Sequence, residues 1–187
     1  MTDWSAERLA RAVLSQVCEP GDPRLTRLVA GYGAVAAVEA LRRGGAQSAW
    51  GLRAMAVDEA EIVARAERLN LRYVIPTDQE WPHALADLGH CEPVGGMGGQ
   101  PLGLWVLGEA RLASWLGNAV AVVGARAATH YGVSVATEMA GRLSSEEFGF
   151  TVVSGGAYGI DAAAHRGALA CGGRTVGIYA GGLDRKS

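Results

Sequence analysis

The sequence predicts an α/β protein in which a small all-helical domain, residues 1–71, precedes an incomplete Rossmann-like parallel sheet, residues 72–187. Apolar residues repeat at helical spacing over residues 3–70, and short β-branched runs broken by glycine replace that pattern from Arg72 onward. The glycines follow the same division, with six of the 27 in residues 1–88 and twenty-one in residues 89–187. The second part is therefore the richer in turns, as alternating strands and helices require.

The length allows one ordinary domain or a small domain joined to part of a second, because domains average roughly 150 residues. Apolar residues make up 49% of the 187 residues and charged residues 19%. This composition supports a buried core and excludes a disordered chain. The net charge of −2 does not by itself indicate a nucleic-acid binder, although it is compatible with a local basic patch.

The N-terminal segment lacks the features of a signal peptide, because Asp3 and Glu7 are acidic and no apolar stretch follows them. No part of the chain approaches ~18 consecutive apolar residues. We therefore expect a soluble, cytoplasmic protein without a membrane partner. Cys18, Cys91 and Cys171 fit neither a disulfide framework nor a metal-binding pair, so reduced thiols are expected.

Four apolar stripes at helical spacing predict the all-helical domain. Asp58 precedes the fourth stripe and is expected to cap that helix. Gly31 and Gly33, and then Gly44 and Gly45, fall between stripes, where a positive φ would be needed. The stripes are Leu9, Val13, Leu14 and Val17; Leu25, Leu28 and Val29; Val35, Val38 and Leu41; and Ile62, Val63, Ala66 and Leu69.

The turn Gly31-Tyr32-Gly33 between the second and third helices has two interpretations. Helix-hairpin-helix modules use such a turn to point backbone amides at a nucleic-acid phosphate. A plain connection between two helices uses the same glycines. The plain connection is favoured, and whether this turn contacts DNA stays open.

Short strands are expected from Arg72 onward, and from Ala119 onward they alternate with helices, which predicts a parallel sheet covered by helices on both faces. A strand at residues 73–75 ends before Pro76, Trp81-Pro82 begins a short helix, and residues 89–101 are expected to form a flexible loop. Further strands are expected at residues 104–107, 119–123, 150–153 and 175–179, and helices at residues 131–144 and 160–170.

Glycine-rich turns follow the last three strands, and the carboxyl ends of parallel strands form the functional edge of an open sheet. Glycine lets a phosphate approach the backbone, and each following helix adds positive charge at its N-terminus. Arg126 adds a full charge with bidentate geometry, and Ser154 can add a hydroxyl. Tight turn geometry explains any one of these turns equally well, but the three together favour a phosphate-binding edge. The turns are residues 124–129, 154–161 and 180–184, and the predicted phosphate-binding residues are Gly124, Ala125, Arg126, Thr129, Ser154, Gly155, Gly156 and Gly159.

Asp161 and His165 are four residues apart and share a face of the helix that follows the second turn. Either Asp161 orients His165 as a general base, or the two support the turn from beneath. The second interpretation is favoured, since no nucleophile or second acid accompanies the pair. No catalytic residue is therefore predicted. The histidines and cysteines lack paired metal-ligand spacing, so no metal site is predicted. NAD or FAD is not expected either, because no G-x-G-x-x-G turn follows the first strand.

These motifs resemble the DNA-processing protein A (DprA/Smf) family over about residues 70–184. Several of them agree with the family in order and spacing, and the N-terminal helices are similar, more loosely, to its SAM-like or helix-hairpin-helix domain. The motifs are residues 122–126 with Thr129 and Tyr131-Gly132, residues 153–157 with 159–161, Ala164-His165, residues 167–169, and residues 181–184.

The resemblance implies a protein that binds single-stranded DNA, protects incoming DNA during natural transformation and helps to load the RecA recombinase onto it. It also implies that the first two glycine turns hold the DNA backbone, which would place Arg126, Ser154, Gly155 and Gly156 at the phosphates. The family forms homodimers, and the resemblance implies neither a cofactor nor a chemical reaction.

The chain resembles only the front half of the family, whose members continue beyond the last glycine turn through further strands and helices. We therefore expect a truncated product or a fragment, in which the sheet edge after Tyr179 would be exposed. Two other classes stay open. One is a nucleoside-monophosphate-cleaving enzyme similar to the lysine-decarboxylase-like phosphoribohydrolases, whose P-G-G-x-G-T-x-x-E signature is absent, and the other is an interaction module without a DNA site.

Overall fold

The helices and the parallel sheet fall into two units, Met1–Glu109 and Ala110–Ser187. The computed structural model describes residues 3–183. A mainly helical unit followed by a parallel α/β sheet confirms the predicted fold class. The boundary predicted between residues 71 and 72 lies inside the first unit, because Tyr73 and Ile75 belong to the same buried core as the helices.

Five α-helices form most of the first unit. Ser5, Asp22, Ser48 and Asp58 cap four of them, each accepting a hydrogen bond from a backbone amide of the first turn. The cap predicted at Asp58 is confirmed, since its carboxylate accepts from the amide of Ala60 at 2.9 Å. The helices are α1 (Ala6–Val17), α2 (Pro23–Tyr32), α3 (Ala34–Gly44), α4 (Ala49–Ala56) and α5 (Glu59–Arg68).

The sequence analysis missed α4, because its apolar pattern is interrupted by Gly51, which is a poor helix former. The structure explains this glycine by close packing. A Cβ at Gly51 would collide with the carbonyl oxygen of Gly45 and would lie 3.0 Å from that of Leu41. Gly51 is therefore what allows α4 to pack against the end of α3.

The turn between α2 and α3 consists of Gly33 alone, at a φ of 80°, while Gly31 and Tyr32 belong to α2. Gly45 follows α3 and also has a positive φ, of 50°. Glycines with positive φ at both breaks agree with the sequence analysis. A nucleic-acid role for the first turn stays a prediction.

An antiparallel hairpin completes the first unit, formed by β1 (Leu71–Val74) and β2 (Leu104–Leu107). Tyr73 on β1 is fully buried, with its ring centroid 4.6 Å from that of Trp105 on β2. Its hydroxyl donates to the carbonyl of Arg11 at 3.2 Å, and burial raises the pKa of Tyr73. The hairpin is thus anchored to α1 by a buried aromatic residue. A 3₁₀ helix, His83–His90, lies in the long connection between the two strands.

Asp22 at the N-terminus of α2 carries a depressed pKa of about 2, chiefly because the Arg24 side chain donates to its carboxylate. The Arg24 Nη2 atom lies 2.7 Å from Asp22 Oδ2, and the guanidinium also stacks 4.7 Å from the ring centroid of Trp50. Nearby, burial raises the pKa of the Cys18 thiol to about 11, so this cysteine stays protonated at neutral pH.

We expect the Asp22 cap to make the first unit acid-sensitive. Its folded pKa lies below the unfolded value of about 3.9, so its stabilisation is present above that pH and is lost as the pH falls towards about 2. Asp22→Asn keeps a capping side chain but removes the charge. In urea titrations, the free energy of unfolding should fall more steeply between about pH 4 and 2 in the natural sequence than in Asp22→Asn. Parallel curves for the two proteins would contradict this account.

A three-stranded parallel sheet forms the centre of the second unit, in the order β3-β4-β5. Helices α7 and α8 connect its strands, and a short helix, α6 (Leu112–Leu116), precedes them. The observed bounds of α8 agree with the predicted helix at residues 160–170, and those of α7 differ by one residue from the predicted start. The elements are β3 (Ala119–Ala121), α7 (His130–Ser144), β4 (Thr151–Ser154), α8 (Ile160–Ala170) and β5 (Arg174–Gly177).

Helices α7 and α8 pack closely against each other because small residues line their contact. A Cβ at Gly167 of α8 would collide with the carbonyl oxygen of Thr137 on α7. Val152 of β4 is fully buried beneath the two helices, together with Ala140 of α7 and Ala164 of α8. The sheet core is therefore a thin layer of small and β-branched side chains.

Helical cover on both faces of the sheet was predicted, but among the described residues the two connecting helices, α7 and α8, cover one face only. The strands lie side by side in chain order, so right-handed crossovers place α7 and α8 on the same face. On β3, Val120 points to that face, whereas Ala119 and Ala121 are exposed on the other.

Among the described residues, none of the helices is long and apolar enough to span a membrane.

Candidate functional site at the ends of the parallel strands

The first predicted phosphate turn, residues 124–129, joins β3 to α7 at the carboxyl edge of the sheet. The amide of Val122 still donates to the carbonyl of Val153 at 2.9 Å, so the turn begins beyond that bond. At its far end Thr129 caps α7, with its hydroxyl accepting from the amide of Gly132 at 3.2 Å. The structure thus gives Thr129 a helix-capping role, and its expected phosphate contact stays a proposal.

The second turn, residues 155–159, lies directly against the first. Gly159 has a φ of 80° and a ψ of −125°, a conformation available to glycine and rare for other residues. A Cβ at Gly159 would collide with the carbonyl oxygens of Ala125 and Arg126. The next amide, of Ile160, donates to the Ala125 carbonyl at 3.2 Å. We call residues 124–129 and 155–159 the paired turns.

Gly124 is the matching close approach from the other side. A Cβ on Gly124 would lie 2.7 Å from Cγ1 of Ile160, the first residue of α8. Close packing therefore requires these glycines, in addition to the positive φ at Gly159. Packing alone accounts for these glycines, and their contact with a ligand stays a proposal.

Ser154 lies at the end of β4 and is buried, with 3% of its surface exposed. Its hydroxyl donates to the carbonyl of Val122 at 2.6 Å. The side chain therefore links β4 to the chain just beyond β3. The sequence analysis placed this hydroxyl at the phosphates, whereas the structure uses it inside the sheet.

Asp161 supports the second turn from the first turn of α8. Its carboxylate is largely buried and accepts from the amide of Ala157 at 3.4 Å. A Cβ at Gly155 would lie 2.6 Å from Asp161 Oδ2, so the turn passes directly over the carboxylate. The supporting role expected for Asp161 agrees with these contacts.

His165 lies beneath the same turn, one helical turn further along α8. Its Nε2 atom lies 2.8 Å from the carbonyl oxygen of Gly155, which can only accept, so Nε2 donates there. Its Nδ1 atom lies 2.6 Å from the hydroxyl of Thr175 on β5. In a trans peptide the C=O and N–H bonds point in opposite directions. His165 therefore turns the Gly155 carbonyl inward and the Gly156 amide outward.

The paired turns offer hydrogen-bond donors without protein acceptors. Among residues 3–183, the amides of Gly155 and Gly156 donate to no protein atom, and the Arg126 side chain is exposed without an ion pair. The positive ends of α7 and α8 lie in the same two turns. Such an arrangement can accept an anion of the size of a phosphate. The same described part of the chain has no cluster of three or more metal-ligating residues.

Three exposed tyrosines at this edge received no functional role in the sequence analysis. Tyr131, Tyr158 and Tyr179 are 80%, 89% and 54% exposed. The sequence contains one indication of an exposed tyrosine at this edge, namely an aromatic residue directly beside a turn glycine, as in Tyr158-Gly159. The third predicted turn contributes Gly181, which is exposed, whereas Asp184 lies outside the described residues.

The fold defines a Rossmann-like α/β protein, and the comparison with known sequences identifies its family. The family model described as DNA recombination-mediator protein A matches residues 72–187, more than half of the chain. The chain therefore belongs to this family, and the DprA/Smf resemblance is confirmed.

Several relatives carry the family's DNA-processing names. A DNA processing protein DprA of Mycobacterium tuberculosis is 43% identical over 187 residues, 94% of this chain and 46% of the relative. Protein Smf of Synechocystis is 32% identical over 63% of this chain and 27% of its own length. The chain thus spans less than half the length of these relatives.

A solved structure shows the same fold. The X-ray structure of DNA processing protein A from Streptococcus pneumoniae matches with a TM-score of 0.67 and 24% identity. The match covers all of this chain and 61% of the other.

The contact between the paired turns makes Gly159 more sensitive to substitution than an open glycine. Gly172 is the control, since its φ is 69° and no atom lies within 4 Å of a Cβ placed there. Gly172→Ala should lower the free energy of unfolding by about 1–2 kcal/mol, because alanine is strained at a positive φ. Gly159→Ala should lower it by a further ~1–3 kcal/mol, because its Cβ also overpacks the paired turns. Urea unfolding followed by circular dichroism measures both. Equal losses would show that the paired turns are not in tight contact.

Proposed function

We propose that this chain binds the backbone of single-stranded DNA at the paired turns, as the DNA-binding part of a recombination mediator. The observation that carries the proposal is the combination of the outward Gly156 amide and the unpaired Gly155 amide with the exposed, unpaired Arg126. Backbone amides, helix N-termini and arginine all favour phosphate, and contacts to phosphate do not distinguish one base from another. Binding is therefore expected to depend little on sequence.

Membership of a DNA recombination-mediator family supports DNA as the ligand rather than a free nucleotide. The proposed roles of the whole protein are protection of incoming DNA in natural transformation and loading of RecA, in the cytoplasm and as a homodimer. The chain spans 46% of the length of the Mycobacterium tuberculosis relative, so these roles are proposed for the whole protein.

We further propose that the site binds without catalysing a reaction. Asp161 and His165 are the pair that the sequence offered as a possible acid and base, and both are engaged with the backbone of the second turn. A general base would need to reach a proton of the substrate instead. This arrangement favours the binding function over the nucleotide-cleaving alternative.

The proposed phosphate contact makes Arg126 the most important arginine of the second unit for DNA binding. Arg126→Ala should weaken binding by ~1.5–3 kcal/mol, the range for a hydrogen bond to a charged group. It should also reduce the salt dependence by about one phosphate contact, ~0.7 in the slope of log affinity against log salt concentration. Fluorescence anisotropy with a labelled oligo-dT at several salt concentrations measures both quantities.

Arg142→Ala is the matched control for this experiment. Arg142 is exposed on α7, with its guanidinium 5.7 Å from the ring centroid of Phe148, and it lies in the last turn of the helix. Its removal should leave affinity and salt slope nearly unchanged. Equal effects of the two substitutions, or binding of oligo-dT that does not depend on salt, would overturn the proposed site.

A further inference from the structure

Large aromatic side chains are exposed at the paired turns, although tyrosine rings usually bury most of their surface. Tyr158 lies inside the second turn and is 89% exposed, and Tyr131 in the first turn of α7 is 80% exposed. Tyr179 follows β5 at the same edge and is 54% exposed. By contrast, Tyr73 in the first unit is 1% exposed.

The three tyrosines are placed by the same contacts that build the paired turns. Tyr158 directly precedes Gly159, whose backbone packs on the carbonyls of the first turn. Tyr179 lies over the second turn, since a Cβ on Gly156 would be 2.7 Å from Tyr179 Cδ1. Tyr131 lies between Thr129, the cap of α7, and Gly132, which neighbours Ile160. Tyr179 thus borders the Gly156 backbone, and Tyr158 and Tyr131 belong to the paired turns and the start of α7.

We propose that Tyr158, with Tyr131 and Tyr179 beside it, stacks on the nucleobases of a single strand whose phosphates lie at the paired turns. The inference rests on the proposed function and adds a base-binding subsite to it. Amides and Arg126 can satisfy the phosphates, but they leave the flat, apolar bases in water. Aromatic faces stack with any base, so such a subsite adds affinity without sequence preference.

Nucleobases fit this surface better than a partner protein does, because the tyrosines lie at the paired turns, whose donors suit an anion. A protein interface would leave the unpaired amides of Gly155 and Gly156 to be matched by acceptors of the partner. A single strand satisfies both features together, since each nucleotide carries a phosphate and an aromatic base. A protein partner or a second copy of this chain is an outcome that the test can detect.

The test compares two probes with the 187-residue chain, a labelled oligo-dT and an abasic deoxyribose-phosphate strand of equal length. Tyr158→Ala should bind oligo-dT about fivefold or more weakly, and should bind the abasic strand as the natural sequence does. Tyr158→Phe keeps the ring and should restore binding of oligo-dT. Phe148→Ala is the control, since Phe148 is 39% exposed and precedes β4, at the edge of the sheet opposite the paired turns, so its loss should leave both affinities unchanged.

Each other result overturns the inference. If Tyr158→Ala weakens both probes equally, or if Tyr158→Phe fails as Tyr158→Ala does, the ring does not act by stacking. If Tyr158→Ala leaves oligo-dT binding intact but changes the sedimentation of the protein, the surface is an interface between copies.

The proposed function can be judged separately, through Arg126→Ala. If Arg126→Ala weakens oligo-dT binding while Tyr158→Ala does not, the phosphate site stands and the base subsite is wrong. If the natural sequence binds neither probe, both proposals are wrong.

Discussion

The backbone contact between Gly159 and the carbonyls of Ala125 and Arg126 is the constraint on which the candidate site depends. Two βα turns in one sheet edge can lie apart, with each helix N-terminus acting alone. Here the absence of a Cβ lets them touch, and the Ile160 amide bonds the second turn to the first. The Arg126 charge and the Gly156 amide are thereby held in the same small region.

The direction of the donors depends on a second layer of contacts. His165 holds the Gly155 carbonyl, and Asp161 holds the Ala157 amide, so the peptide planes of the turn are fixed from below. His165 reaches β5 through Thr175 as well, which ties the turn to the neighbouring strand. Asp161 and His165 are thus explained as supports of a fixed turn, and the proposed phosphate contact would form on it with less loss of conformational entropy than on a flexible one.

The parts of the fold that local patterns determine could be predicted from the sequence. The apolar run of β4 and the alternation of small and apolar residues in α8 located both elements. Helix α4 was missed because Gly51 suits a turn locally, and its need for a glycine appears only when α4 packs against Leu41 and Gly45. The restriction of α7 and α8 to one face of the sheet was missed for a similar reason. It follows from the strand order, which is set by pairing between residues far apart along the chain.

The same distinction applies to the candidate site. Gly124, Arg126 and Gly159 were found from their place after strands, which the structure bears out as positions on one edge. The use of the Ser154 hydroxyl within the sheet could not be predicted, because its acceptor on Val122 is 32 residues away along the chain. The exposure of Tyr158 likewise depends on how the two turns meet, and the neighbouring Gly159 was its one local indication.

The most direct test of the account is a titration of the ¹⁵N-labelled chain with oligo-dT, followed through its backbone amide resonances. The account predicts that the largest shifts occur at residues 124–126 and 155–156, with little change in α1 to α5. Shifts confined to the first unit, for example around Gly33, or spread over the outer surfaces of α7 and α8, would contradict it.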